Sequence, residues 1–399
     1  MATKETGGIS DDPVIKFTNQ VLFEAVRRRS SDIFIEPEEK NLRVRYRIDG
    51  LLQEGAMSTL AVHGGIISRV KVMANLDIAE HRIPQDGRFR LKMDENEIDF
   101  RVSVLPTYFG EKICLRVLDK GQALLDIDKL GFEEAPLKAL KIVAERPHGM
   151  ILMTGPTGSG KTTTLYSVLK LLDKPQINIV TVEDPVEFRI HGINQVAIRP
   201  EVKLTFASAL RSILRQDPDV IMVGEIRDFE TADVAIKAAL TGHMVLSTLH
   251  ATTAVGAVTR LVNIGIEPYL ITSSVLLVGA QRLVRRICGK CKETYEPAPE
   301  LLKQLGVTGA VAGGKKPVFT RGKGCDACNK RGYHGRAVLL ETLTLTPPVK
   351  DLVLRGAAEY EIEELGRKEG MKTMREDGII KVLNGVTTPE EVMRVTMRD

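Results

Sequence analysis

No apolar run in this 399-residue chain approaches the roughly 20 residues that a helix needs to span a bilayer. The stretch from Leu270 to Ala280, among the longest, is broken by Thr272, Ser273 and Ser274. A membrane-crossing helix is therefore excluded. Cysteine is scarce at 5 residues, and four of these fall in two Cys-x-x-Cys pairs, which argues against a disulfide framework and for a reducing compartment. Neither sign of charge dominates: 56 Lys and Arg face 52 Asp and Glu, for a net +4, and the basic residues are dispersed. Nucleic acid is accordingly not expected as a partner. Met1 to Asp12 lack the charged-then-apolar pattern of a secretory signal and read as a flexible N-terminus, so a cytoplasmic location is expected. No internal repeat is present.

What is there is ordinary globular composition, 43% hydrophobic and 27% charged, over a length that suggests two or three domains. From Pro13 to Lys120 a helical pattern, Ile15 to Arg29, is followed by period-two runs, LRVRYRI, EIDFRVSVL and KICLRVL. These predict a small α+β domain. Residues 121–148, with Gly121, Gly131 and Pro147, read as a linker and the start of a second domain. Beyond Gly149 the runs MILMT, INIVTVED, DVIMVGEI and MVLSTLH alternate with amphipathic segments, the pattern of an α/β fold with a parallel sheet covered on both faces. This core is expected over 149–287. A loop-rich insert with Pro297, Pro299, Gly313, Gly314 and Pro317 occupies 288–335, and a mainly helical region is expected over 336–399.

Gly155-Pro156-Thr157-Gly158-Ser159-Gly160-Lys161-Thr162 matches Gly-x-x-x-x-Gly-Lys-Ser/Thr, after an apolar run and before a helical pattern in which Leu165, Val168, Leu169 and Leu172 recur. That context is what a phosphate-binding loop requires. The helix start directs free N–H groups and the positive dipole end at phosphates, and the glycines allow close wrapping. Lys161 is expected on the β- and γ-phosphates and the Thr162 hydroxyl on Mg²⁺, with Thr163 completing the nucleotide-binding set. The bland alternative is a glycine-rich turn without chemistry.

In open α/β sheets ligands lie beyond the carboxyl ends of the strands. Three strand patterns end in polar residues there: Glu183, Asp184 and then Glu187 after INIVTV, Glu225 after DVIMVG, and His250 after MVLSTL. Glu225 is the first candidate to orient the attacking water, against a capping role or a water-mediated hold on Mg²⁺. Glu187 and Glu183 rank below it, with structural capping the competing reading. His250 would sense the γ-phosphate. His243, seven residues earlier and roughly 23 Å away along a strand, cannot share a metal with it and reads as a turn residue. Charge developing on the phosphates also calls for an arginine. Arg88, Arg101 and Arg116 lie on strand patterns of the first domain and Arg211, Arg215 and Arg227 flank the Glu225 strand, with a solvated surface as the default for each.

Cys288-x-x-Cys291 and Cys325-x-x-Cys328 offer four thiolates at the spacing of a tetrahedral zinc site, closed to water and hence structural rather than catalytic. A redox dithiol is the alternative, without a thioredoxin-like unit to support it. Cys114 is left over and reads as a buried apolar residue.

Taken together, GPTGSGKT, TVEDPVEF, LRQDPDVIMVGEIRD and TGHMVLSTLH resemble the Walker A loop, Asp box, Walker B segment and His box of the secretion-superfamily ATPases that power type II secretion and type IV pilus assembly. QRLVRRICGKC with GCDACNKRGYHGR resembles their zinc module, and SSDIFIEP, RYRIDG and IPQDGR their preceding domain. The resemblance implies a RecA-like core after a PAS-like α+β domain, with ATP, Mg²⁺ and Zn²⁺ as cofactors. It further implies a homohexamer, and it promotes Arg101 and Arg116, then Arg88, to phosphate contacts. An inner-membrane platform protein of a pilus or secretion machine is the implied partner, so that the chain is peripheral at that membrane through proteins. The four cysteines favour an extension or secretion motor over a retraction motor, and the wording of the motifs leans to pilus assembly, with type II secretion next. A further N-terminal domain of such proteins is missing before Pro13, as in a trimmed chain. A nucleotide-bound scaffold without turnover and a nucleic-acid motor are the readings of other classes.

Overall fold

The computed structural model describes residues 13–93, 96–119, 126–307 and 317–396. The expectations for Met1 to Asp12, Gly121, Gly313 and Gly314 lie outside them. The chain divides into two compact units, with the boundary between Ala123 and Leu124.

The first unit is built from α1 (Pro13–Arg27), β1 (Ser30–Pro37), β2 (Asn41–Ile48), β3 (Leu51–Thr59), α2 (His63–Ala74), β4 (Gln85–Met93), β5 (Asn96–Thr107) and β6 (Gly110–Asp119). All strand pairs are antiparallel in the order β3-β2-β1-β6-β5-β4. Period-two alternation turns one face to the core: Ile33 and Ile35, Val44 and Tyr46, Phe100 and Val102, and Ile113 and Leu115 pack with Val21, Leu22, Ile66 and Val70 of the two helices. The opposite face carries the charged residues of the same strands. Cys114 belongs to that face and is half-buried opposite Phe34, so it does not sit in the apolar core as expected.

In the second unit the strand order is β15-β12-β7-β11-β10-β8-β9. These strands are β7 (Gly149–Thr154), β8 (Ile179–Glu183), β9 (Asn194–Ala197), β10 (Val220–Val223), β11 (Met244–Leu249), β12 (Val275–Ile287) and β15 (Tyr333–Thr344). Six run parallel and β15 is antiparallel to β12. The central strands β7, β8, β10 and β11 are buried throughout and largely apolar because both of their faces are covered. Met150 and Leu152 of β7 join Val245 and Leu249 in one core, and Ile151 and Met153 join Leu246 in the other. The first core is capped by α5 (Phe206–Ile213), α6 (Phe229–Leu240), α7 (Ala254–Ile264) and α8 (Pro268–Ser274), the second by α3 (Glu134–Ala144) and α4 (Lys161–Leu172).

Residues 127–148 pack as the start of the second unit: Leu140, Val143 and Ala144 of α3 are buried in one core with Ile151 and Met153 of β7, and Lys141 Nζ holds Asp128 at 2.6 Å. The region after 335 opens with the end of a strand and continues as four helices. β15 crosses that boundary and pairs with β12 over ten positions, Leu277↔Thr344 through Ile287↔Tyr333, because Ala337, Leu339 and Leu343 on one side and Val338 and Leu340 on the other feed the two cores. The insert holds β13 (Lys292–Tyr295), α9 (Pro299–Leu305) and β14 (Phe319–Gly322). Four helices complete the chain: α10 (Pro347–Leu354), α11 (Glu359–Lys368), α12 (Met374–Leu383) and α13 (Pro389–Thr396). Phe319 and Leu305 of the insert pack on Ile379, Val382 and Val392. Among the described residues no helix is long and apolar enough to cross a membrane.

Candidate active site at a phosphate-binding loop

β7 delivers the chain into the loop at its carboxyl end. Thr154 anchors that end: its hydroxyl donates to the Leu249 carbonyl at 2.8 Å and accepts the Ala251 N–H at 2.7 Å. Gly155, Gly158 and Gly160 then take φ of +141°, +78° and +89°, left-handed values that side chains with a Cβ rarely adopt. At Gly155 a Cβ would also stand 2.4 Å from the Gln281 carbonyl. The glycines of the motif are thus required by backbone geometry. Helix α4 starts at Lys161 directly after this turn, with no side-chain cap on its first N–H groups, so those donors are left for an anion. Ser159 Oγ is buried and lacks a hydrogen-bond partner. The Lys161 ammonium folds onto the loop's own carbonyls, Gly155 O at 2.8 Å and Pro156 O at 3.0 Å, neutral acceptors that phosphate oxygens would outcompete. Burial lowers its pKa, with Glu225 opposing and Arg282 adding to the shift. Loop, helix start and lysine fit a nucleotide phosphate chain.

Glu225 is set by its neighbours on both sides. The Gly224 N–H reaches Val182 O at 2.8 Å, Thr248 Oγ1 reaches Gly224 O at 2.7 Å, and the Ile226 N–H reaches Thr248 O at 2.9 Å. A Cβ at Gly224 would lie 3.2 Å from Val182 O, so the approach of β8 depends on this glycine. The carboxylate is bonded by the Arg227 guanidinium and lies 3.3 Å from His250 Nε2. Its pKa is lowered: burial acts upward, and Arg227 and His250 outweigh it. It is an anion with two cationic or polar donors, at the mouth of the same crevice as Lys161.

The strand-end expectation therefore brings Glu225 and His250 together and treats Glu183 differently. Glu183 is buried, and its carboxylate is occupied by the Tyr166 hydroxyl, by Thr181 Oγ1 at 2.5 Å and by Gln195 Nε2 at 3.1 Å. It ties α4 to β8 and β9. Burial, then Glu183, raise the Tyr166 pKa well above the usual phenol range. Glu187 lies on the following loop, where its N–H meets the Tyr166 hydroxyl at 3.4 Å. Asp184 approaches Arg227 at 4.0 Å. His243 bonds Ala238 O through Nδ1 at 3.0 Å at the end of α6, a turn position as read from the sequence. Arg211 pairs with Glu230 at 2.6 Å, and Arg215 bonds Arg211 O and Ser212 Oγ. Thr162 is half-exposed on the first turn of α4 with Thr163 beside it. Gln281 and Arg282 of β12 entered the sequence reading only as the start of the zinc-module run, since their approach to the loop depends on tertiary pairing.

In the first unit Arg88, Arg101 and Arg116 stand directly opposite one another across β4, β5 and β6, and the row continues through Asp32 to Arg47. Asp32 receives Arg116 at 3.2 Å and Arg47 at 3.4 Å. Three successive guanidiniums in one cross-strand row concentrate positive charge where like charges repel.

The four cysteine sulfurs lie within 4.8 Å of one another, with Cys288–Cys325 at 3.9 Å and Cys291–Cys328 and Cys325–Cys328 at 3.8 Å. A sulfur tetrahedron around zinc at about 2.3 Å has edges of about 3.8 Å. The N–H groups of Gly324 and Gly332 point at Cys291 and Cys328 Sγ at 3.3 and 3.2 Å, as donors to thiolates do. The donor set fits a tetrahedral metal and offers no open position.

Parallel sheet, loop and opposed carboxylate define a P-loop nucleoside triphosphatase fold and site. The family described as type II/IV secretion system protein matches residues 8–394, and the chain belongs to it. It is 50% identical over 392 residues to the type IV pilus assembly ATPase PilB of Myxococcus xanthus, covering 98% of this chain and 69% of that protein. To the type II secretion system protein E of Xanthomonas campestris pv. campestris it is 49% identical over 387 residues, or 97% and 68% of the two chains. Among solved structures, the pilus retraction motor PilT with bound ADP superposes with a TM-score of 0.64 at 25% identity, over 95% of this chain and 96% of that one. The Legionella pneumophila ATPase DotB, at 20% identity and TM-score 0.69 over 98% and 97% of the chains, shares the fold.

Proposed function

We propose that this chain hydrolyses ATP at the Gly155–Thr162 loop and converts the cycle into movement of its domains within a homohexamer that drives type IV pilus assembly. The observation that carries the reading is the convergence of Lys161, Glu225 and His250 at the carboxyl ends of three neighbouring parallel strands. The 50% identity to a pilus assembly ATPase supports the motor assignment. The 49% identity to a type II secretion protein supports secretion as the second reading.

In this reading Lys161 exchanges the carbonyls of Gly155 and Pro156 for phosphate oxygens, and the N–H groups of the first α4 turn hold the β-phosphate. Thr162 would hold Mg²⁺, with Glu225 contributing through water, and the ion when bound would offset phosphate charge. Glu225 orients the attacking water by accepting its hydrogen bond. A lowered pKa suits this task, because a loose phosphoryl transition state asks for positioning more than for a strong base. His250 bridges Glu225 and the γ-phosphate and reports its departure. Glu183 and Glu187 act on the position of α4 through Tyr166. Arg101, Arg116 and Arg88 supply further positive charge to the phosphates. Cys288, Cys291, Cys325 and Cys328 hold Zn²⁺, which fixes the insert. The partner is an inner-membrane platform protein, which places the chain at that membrane from the cytoplasmic side.

The test is turnover of purified protein by phosphate release, alongside Lys161→Ala and gel filtration with ATP. Turnover confined to the parent, in a particle of six chains, supports the reading. Nucleotide bound tightly with no phosphate release would leave a scaffold instead.

A further inference from the structure

β12 reaches the loop from the side opposite β11. The register sets Leu249 of β11 and Ala280 of β12 on either side of Thr154, so His250 and Gln281 flank the first residue of the loop. Gln281 is buried, and both ends of its amide are used: Nε2 donates to Ser159 O at 2.7 Å and Oε1 accepts from Thr164 Oγ1 at 2.8 Å. It clamps the loop and the first turn of α4 to β12. A Cβ on Gly160 would lie 2.8 Å from Nε2, so the clamp and the loop glycine fit only each other.

Arg282, the next residue, turns back across the loop entrance. Its Nη1 lies 3.2 Å from Gln281 O and would lie 3.2 Å from a Cβ on Gly155, while Nη2 lies 3.5 Å from Thr252 O, beyond His250. The guanidinium is half-buried, and among the described residues no carboxylate forms an ion pair with it; the buried Glu341 of β15 attracts it only from farther off. Two long contacts to carbonyls leave most of its five donors unused. A desolvated cation held this way is costly without an anion in direct contact. Burial lowers its pKa against the opposing pull of Glu341, and it in turn helps to lower that of Lys161. Two cations that repel each other at the opening of an anion loop are brought into balance by phosphate, whose oxygens a guanidinium fork matches.

We propose that Arg282 is a ligand of the nucleotide's phosphate chain in the same subunit as the phosphate-binding loop, working beside Lys161. The inference rests on the proposed nucleotide site. Because Arg282 is carried by the strand that clamps the loop, its contact needs neither a second subunit nor the γ-phosphate. It acts on ADP as well as ATP, and so slows product release as much as it aids loading.

The experiment is calorimetric titration of the parent, Arg282→Met, Arg282→Lys and Lys161→Ala with ADP, a nonhydrolysable ATP analogue and AMP, with melting curves of the nucleotide-free proteins. Arg282→Met keeps the side-chain length and removes the charge. It is expected to bind ADP and the analogue about tenfold or more weakly, to discriminate ADP from AMP less than the parent does, and to melt as the parent does. Arg282→Lys should recover part of the loss. Parent-like ADP affinity in Arg282→Met overturns the proposal, as does a loss equal for ADP and AMP with a lowered melting temperature, which marks a packing role. If Lys161→Ala matches the parent, the nucleotide site itself has been misplaced and the proposal falls with it, an outcome distinct from failure at Arg282 alone.

Discussion

Glu225→Gln removes one charge and almost no volume, which makes it the sharpest perturbation of the proposed chemistry. The carboxylate accepts from Arg227 through one oxygen and meets His250 through the other, and a carboxamide keeps one acceptor but puts a donor in place of the second. Its backbone anchors, Gly224 N–H to Val182 O and Ile226 N–H to Thr248 O, do not involve the side chain. The variant should therefore fold and bind ATP. Lys161 rests on Gly155 and Pro156, so the loop is untouched, and the loss of a negative charge near the phosphates favours binding slightly. A positioned acid–base group contributes about 10²- to 10⁴-fold, or about 3–5 kcal/mol of barrier. Single-turnover hydrolysis should fall by that factor while the dissociation constant for ATP stays within about threefold, a difference of about 0.7 kcal/mol. The pH profile carries a second expectation. A depressed pKa means Glu225 stays ionised below the usual carboxylate range, so turnover between pH 5 and 8 is not limited by its protonation. Hydrolysis at the parent rate would refute the role of Glu225.

Zinc should be found at one equivalent per chain and should fall sharply in Cys291→Ser, with chelator-treated protein melting lower; parent protein with no zinc and an unchanged melting curve contradicts the structural site. Glu391 is buried among Arg285, Arg394 and the Arg285 N–H at 2.8–2.9 Å, and although burial acts upward, these partners hold its pKa at about 2. Its folded pKa is depressed, so its stabilisation, on the order of 3 kcal/mol, is present above about pH 4.5 and is lost as pH falls toward 2. Glu391→Gln should lower denaturant stability at pH 7 and much less at pH 2.5, and equal losses at both would contradict the assignment. Arg101→Ala should cut turnover by about 10³-fold or more, within the range for an arginine on developing phosphate charge, while titrated ATP affinity changes less. A variant with parent turnover returns Arg101 to the solvated surface.

What the sequence made legible was local. The loop glycines, Lys161 and Thr162 lie in eight consecutive residues, and their strand and helix follow from runs of a single period. Each cysteine pair sits on one short turn. Glu225 and His250 were found because each ends an apolar run, a rule that depends only on the strand's own direction. The same rule pointed at Glu183, whose side chain is instead taken up by Tyr166 and Gln195, contacts that only packing of α4 and β9 could reveal. β12 and β15 were hidden because Gln281, Arg282, Arg285 and Arg286 break the apolar pattern and the partner strand lies beyond the whole insert. Gln281 meets Ser159 across 122 residues of chain, a distance over which no spacing rule operates. The arginine row was visible as three separate residues, and their alignment came only with the register of β4, β5 and β6.

The most direct test is a crystal structure of the protein with Mg²⁺ and a nonhydrolysable ATP analogue. The account predicts phosphate density inside the turn of Gly155 to Gly160, with the Lys161 ammonium moved off the Gly155 and Pro156 carbonyls and onto the phosphates. An analogue bound elsewhere, with Lys161 still resting on those two carbonyls, would contradict it.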